Sequence, residues 1–140
     1  MVQMPAKVKK VRRAGPDHQV VTVIGGKFTC RPEPCGGCPW KVKNAGNFPA
    51  EAFKHSASTS YDMALSMFSC HESGSGKPAT CAGFVMNGAA NNLAVRMKYA
   101  NGELAPEDVT DGGEELFESY REMAVANGVD PNDPTLVKCV

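Results

Sequence analysis

Six cysteines constrain this chain more than any other feature: Cys30, Cys35, Cys38, Cys70, Cys81 and Cys139. Three of them fall within the stretch CRPEPCGGCPW, residues 30–40. Thiols crowded this closely bind a metal, exchange electrons or form disulfides. Basic residues near the N-terminus are followed by no apolar stretch, so no secretory signal is expected there. No apolar run is long enough to span a bilayer. The expected compartment is the cytoplasm, where thiols stay reduced, so ligand or catalytic cysteines are favoured over structural disulfides.

Cys35 and Cys38 form a C-x-x-C pair around Gly36 and Gly37. A tight turn at that spacing brings two sulfurs to one ion, and glycines relieve the strain of such a turn. A tetrahedral centre needs two more donors. Cys70 and Cys81, on either side of a polar loop, can supply them. The expected metal ligands are therefore Cys35, Cys38, Cys70 and Cys81. Four thiolates hold either one Zn²⁺ or one [4Fe-4S] cluster per chain. Pro39 directly after a ligand cysteine recurs in cluster motifs, whereas structural zinc is the simpler and commoner use of four thiolates. Trp40 is expected to shield the centre from solvent. His71 is expected to hydrogen-bond a thiolate beside it, or to replace one cysteine as ligand.

Other groupings compete. Cys30, Cys35, Cys38 and Cys70 match plant-type ferredoxin spacing, but Pro32 and Pro34 remove two backbone donors from the loop that would hold the sulfides. The C-x-x-C can act as a thioredoxin-like redox pair, yet such pairs open a helix, and Pro39 with the loop-like KVKNAGNFP argues against one here. Cys70 with His71 or His55 lacks a third group to orient the base. GSGKP at 74–78 has Pro78 where a phosphate loop needs Ser or Thr. Cys139, one residue from the end, is expected to be a buried hydrophobe rather than a ligand.

The rest of the chain sets these residues in order. Its 140 residues suit one domain. Formal net charge is zero, which removes any global attraction for nucleic acid. Residues 1–16 nevertheless hold Lys7, Lys9, Lys10, Arg12 and Arg13 without an acid, and are expected to be a flexible basic arm with weak affinity for nucleic-acid phosphates. HQVVTVIGG at 18–26 reads as a strand, with KFTC at 27–30 as its hairpin return. Residues 31–49 read as a loop. Helices are expected over 49–57, 59–68, 81–100 and 111–128, and the tail over 129–140 is expected to be extended. Leu93, Val95, Met97 and Tyr99 also alternate as a strand would. The fold class is α+β: a small single domain over 17–140, mainly helical with a short β-hairpin, organised around a metal site of four cysteines.

The segments RPEPCGGCPWKVKNAGNFP at 31–49, MFSCHES at 67–73, CAGFVMNG at 81–88, NLAVR at 92–96 and EMAVANGVD at 122–130 together resemble a family of small cysteine-rich proteins of actinobacteria and their phages. The resemblance runs from about residue 31 to 133. It supplies no activity. It implies that Cys35, Cys38, Cys70, His71 and Cys81 are motif positions, leaves Cys30 and Cys139 outside, and implies host cytoplasm if the origin is a phage. The expected function is a cytoplasmic metal-binding protein, not an enzyme, that acts through a protein or nucleic-acid partner. The alternative is a redox protein or sensor that uses an iron–sulfur cluster or the C-x-x-C thiols.

Overall fold

The protein is described by a computed structural model over residues 7–15, 18–24, 29–70 and 79–139. Three antiparallel strands lie in the order β1 (Lys7–Gly15), β2 (His18–Ile24), β3 (Met67–Phe68). β1 pairs with β2 from Lys7 opposite Ile24 to Gly15 opposite His18, with irregularities between Val8 and Lys10 and between Arg13 and Gly15. β2 pairs with β3 through Thr22 opposite Phe68 and Val23 opposite Met67. The basic residues expected in an arm thus belong from Lys7 onward to a paired strand, since β-branched valines on both partners favour an extended ladder. The expected hairpin also has a different partner. β2 returns onto β1 and β3, while Cys30 pairs with Thr80.

Among the described residues, five α-helices follow. α1 (Ala50–Ser56) starts behind Pro49 and carries Glu51 in its first turn and Lys54 and His55 in its last, charges that complement the helix dipole. α2 (Ala82–Asn87) and α3 (Leu93–Ala100) divide the stretch expected to be one helix. Asn92 recaps the chain by accepting the Val95 N–H at 3.0 Å. α4 (Tyr120–Ala126) is capped by Ser119 and α5 (Pro134–Val137) by Asp133, so part of the tail expected to be extended is helical. Among the described residues, no helix is long and apolar enough to cross a membrane. The fold is a mainly helical α+β domain.

Two helices expected from periodicity are absent or shortened. Over 59–68, Thr59 Oγ1 donates back to the Ser56 carbonyl at 2.7 Å and Met63 takes φ 62°, which ends any helix. Over 111–119, Gly112 and Gly113 take positive φ, and the Gly113 N–H bonds the Asp111 carboxylate at 2.8 Å. This turn occupies the expected capping residue. The chain then runs extended past Trp40, with the Phe117 N–H on the Trp40 carbonyl at 2.9 Å.

Trp40 is the centre of the core. It is fully buried and meets Phe68 and Tyr120 edge to face, each with ring centroids 6.1 Å away. Phe68 stacks on Phe84 at 6.1 Å. Gly83 and Gly88 of the α2 segment leave the space that Trp40 fills. A Cβ built at either would stand 2.5 Å from a Trp40 carbon. Asn92, also fully buried, donates to the carbonyls of Thr59 at 2.9 Å and Ser66 at 2.8 Å. It ties the start of α3 to the irregular segment before β3.

Candidate metal centre

Three extended segments, 29–31, 68–70 and 79–81, lie side by side with Thr80 in the middle. Thr80 pairs in parallel with Cys30 and antiparallel with Ser69. The Thr80 N–H bonds Thr29 O at 2.8 Å, and the Arg31 N–H bonds Thr80 O at 3.0 Å. On the other side, the Cys70 N–H bonds Ala79 O at 2.6 Å and the Cys81 N–H bonds Phe68 O at 2.9 Å. Side chains alternate along extended backbone. Cys30 therefore shares a face with Ser69 and Thr80, and Cys70 and Cys81 share the opposite one. Cys81 also stands immediately before α2, as its N-cap.

The C-x-x-C turn is closed by the Cys38 N–H on the Cys35 carbonyl at 3.1 Å. Asn44 clamps it from outside. Its Nδ2 donates to Gly36 O at 3.1 Å and to Cys38 O at 2.9 Å. Gly36 has no positive φ, and a Cβ there would meet nothing, so this glycine is not required by the strain that the sequence suggested. The turn delivers Cys38 to Cys81, with sulfurs 3.6 Å apart. Cys35, Cys38, Cys70 and Cys81 are all buried within the hydrophobic core. None of the six cysteines is in a disulfide.

The surroundings of Cys38 act in both directions. A hydrogen bond with the Cys35 side chain lowers its pKa, the contact with Cys81 and burial raise it, and the Trp40 backbone N–H lowers it. The balance pushes the thiol up to about 12. Burial raises Cys30 and Cys139 to about 11 each.

Of the four expected ligands, the structure brings Cys38 and Cys81 into direct contact, joins Cys35 to them through Cys38, and sets Cys70 on the same face as Cys81. Among the described residues, no three His, Cys, Asp or Glu side chains stand grouped around a position for an ion. Cys139 is elsewhere, opposite Tyr61, with its sulfur 3.7 Å from the Ala57 and Thr135 carbonyls. His55 lies 3.5 Å from Glu51 on its own helix. His71 and residues 74–78 lie outside the described residues. Trp40 anchors the core rather than standing as a simple screen, and its Nε1 has no acceptor among the described residues. Sequence reasoning missed Asn44, because an asparagine six residues after a cysteine carries no signal. It also missed Gly83, although a glycine inside a helical pattern is itself a sign of close packing.

A family model described as "Family of unknown function (DUF6283)" matches residues 30–140. The match starts at Cys30 and leaves out β1 and β2. No curated protein and no solved structure matches the chain.

Proposed function

We propose that this chain, which belongs to the family of unknown function DUF6283, is a non-enzymatic metal-binding protein whose domain closes on a centre held by Cys35, Cys38, Cys70 and Cys81. The observation that carries this reading is the contact between thiols of two separate segments, the Cys38 and Cys81 sulfurs standing 3.6 Å apart, with Cys35 and Cys70 buried in the same core. A buried cluster of free thiols contributes little to a core as hydrophobes alone, but as thiolates it binds thiophilic metals tightly. Binding metal in this place ties the C-x-x-C turn, β3 and α2 together, so metal affinity becomes folding energy. Six cysteines outside any disulfide fit a reducing compartment such as the cytoplasm.

The contact between Cys38 and Cys81 also favours a second reading, a thiol–disulfide couple. It is the weaker one. Exchange with another protein needs an accessible thiol activated at a helix N-terminus. Cys38 is 0 % exposed, and its turn runs into Pro39 and then a single 3₁₀ turn over Val42–Asn44 rather than opening an α-helix.

Metal analysis of the full chain purified without oxygen tests the proposal. Cys38→Ser and Cys81→Ser are expected to retain less than about a tenth of the wild-type metal. Cys139→Ser is expected to retain all of it. Full occupancy in Cys38→Ser would refute the ligand set. A metal-free wild type that forms a 38–81 disulfide on mild oxidation would establish the second reading.

All four thiols are buried, which fits action through a partner. β1 brings Lys7, Lys9, Lys10, Arg12 and Arg13 onto the outer strand of the sheet, and nucleic-acid phosphates are the partner this charge fits. Replacing Lys9, Lys10, Arg12 and Arg13 with glutamine is expected to reduce the salt slope of duplex binding by up to about 4. Fluorescence anisotropy over a salt series measures it. An unchanged slope would exclude β1 as the contact.

A further inference from the structure

We propose that a second copy of this chain docks its basic strand β1 in a cleft between the end of α2 and the segment 111–118, where β1 pairs edge to edge with the backbone of Leu116. The proposal goes beyond the thiol centre and does not depend on what those thiols hold.

The cleft encloses about 400 Å³. Met86 and Asn87 of α2 line one wall, and Leu116 with Asp111, Glu115 and Glu118 lines the other. Its apolar part is Met86, 42 % exposed, and the half-buried Leu116.

The second wall is extended backbone with one edge used. The Val42 N–H bonds Glu115 O at 3.1 Å, and the Phe117 N–H bonds Trp40 O at 2.9 Å. Leu116 stands opposite Lys41 between these two bonds. In that antiparallel pattern it is the non-hydrogen-bonded position, so its own N–H and C=O are directed away from Lys41. Among the described residues neither group has a hydrogen-bond partner. An open edge of this kind takes up an extended segment through main-chain hydrogen bonds, while neighbouring side chains select which segment.

The side chains here select positive charge. Glu114, also on this wall, is already paired with Lys43 at 2.6 Å. Asp111, Glu115 and Glu118 are exposed and have no cationic partner among the described residues.

β1 is the matching segment. It carries Lys7, Lys9, Lys10, Arg12 and Arg13, no acid, and two interspersed valines. It is the outer strand in the order β1-β2-β3, so one of its edges is open as well. Cleft and strand therefore complement each other in charge and in backbone edge. No long-range repulsion keeps two copies apart, because the formal net charge is zero and the pI is about 6.8. A chain without net charge at its working pH associates readily. The contact joins different surfaces of the two copies, and a reciprocal pair of such contacts closes a dimer. A β1 held in a neighbour's cleft is withdrawn from phosphates, so duplex nucleic acid competes with self-association.

Sedimentation velocity of the nuclease-treated full chain, under reducing conditions and over a concentration series, tests the proposal. Association is expected at about 50 mM salt and loss of it at about 0.5 M, as the screening length falls from more than about 10 Å to less than about 5 Å. Glu115→Lys with Glu118→Lys should weaken association by about tenfold or more, because like charges would then meet. Lys9→Glu with Lys10→Glu should do the same, and mixing the two variants should restore association. Glu107→Lys with Glu122→Lys changes the charge equally at exposed acids outside the cleft, and should associate as the wild type does. A wild type that stays monomeric at low salt, or a Glu107/Glu122 variant that fails as badly as the cleft variant, would overturn the proposal. Association seen only before nuclease treatment would mean that nucleic acid bridges the copies. A monomer whose cleft binds a foreign lysine-rich peptide would assign the cleft to another protein. Either result overturns the proposal too, and metal content, measured separately, is unaffected by all of them.

Discussion

Gly83→Ala is expected to destabilise the domain by about 3 kcal/mol and to lower its melting temperature by roughly 10 °C. Inside a helix, alanine for glycine normally stabilises by up to about 1 kcal/mol. Here the new Cβ would stand 2.5 Å from the Trp40 Cβ and 2.8 Å from its Cγ. Those atoms are the stiff base of the side chain, not a movable tip. The backbone beneath them is held by the Phe117 N–H at 2.9 Å, and Phe68 and Tyr120 close off the ring. Neither helix nor tryptophan can withdraw without opening the core, so overpacking outweighs propensity. Gly36→Ala is the control, because a Cβ there meets nothing within 4 Å. Thermal melts of the two variants decide the matter. A Gly83→Ala protein that melts with the Gly36→Ala protein would mean that Trp40 is not seated on α2.

Asn92→Leu is expected to cost about 4 kcal/mol in denaturant unfolding. The leucine keeps the branched shape of the asparagine, with bulkier tips, but removes three hydrogen bonds at once. The carbonyls of Thr59 and Ser66 lose their donor and the Val95 N–H loses its acceptor. Asn92 is 0 % exposed, so water does not replace them, and a buried backbone group left unpaired costs about 1–3 kcal/mol. Asn92→Asp should be at least as damaging at neutral pH, because a carboxylate would face two carbonyl oxygens. A loss below about 1 kcal/mol in the leucine variant would show that the network has water as a substitute.

What could be read from the residues alone follows from how local each determinant is. α1 was legible because Pro49, Glu51 and the basic last turn all sit within one short segment. The end of α4 was legible because Gly128 follows it directly with φ 99°. The start of that helix was misplaced, since Asp111 and Ser119 are both competent caps and the two glycines after Asp111 decide between them. The break between α2 and α3 depends on Asn92, whose partners lie 26 and 33 residues away. No window on the sequence contains them. The cysteine pairings were half legible. Cys35 with Cys38 is a matter of spacing, whereas the pairing of Cys30 with Thr80 is displayed only by the assembled backbone.

Trp40 is the chain's one tryptophan. It follows Cys38 by two residues, while Cys81 opens the helix whose Gly83 it rests on. The fold has thereby placed its single indole between the buried thiols and the aromatic core. Intrinsic emission is consequently a built-in optical gauge of the proposed centre, readable during any titration without a label. A thiol-bound quencher such as Co²⁺ would dim it by proximity, and collapse of the core would shift its colour toward that of indole in water. The same lamp distinguishes an emptied centre from an unfolded chain.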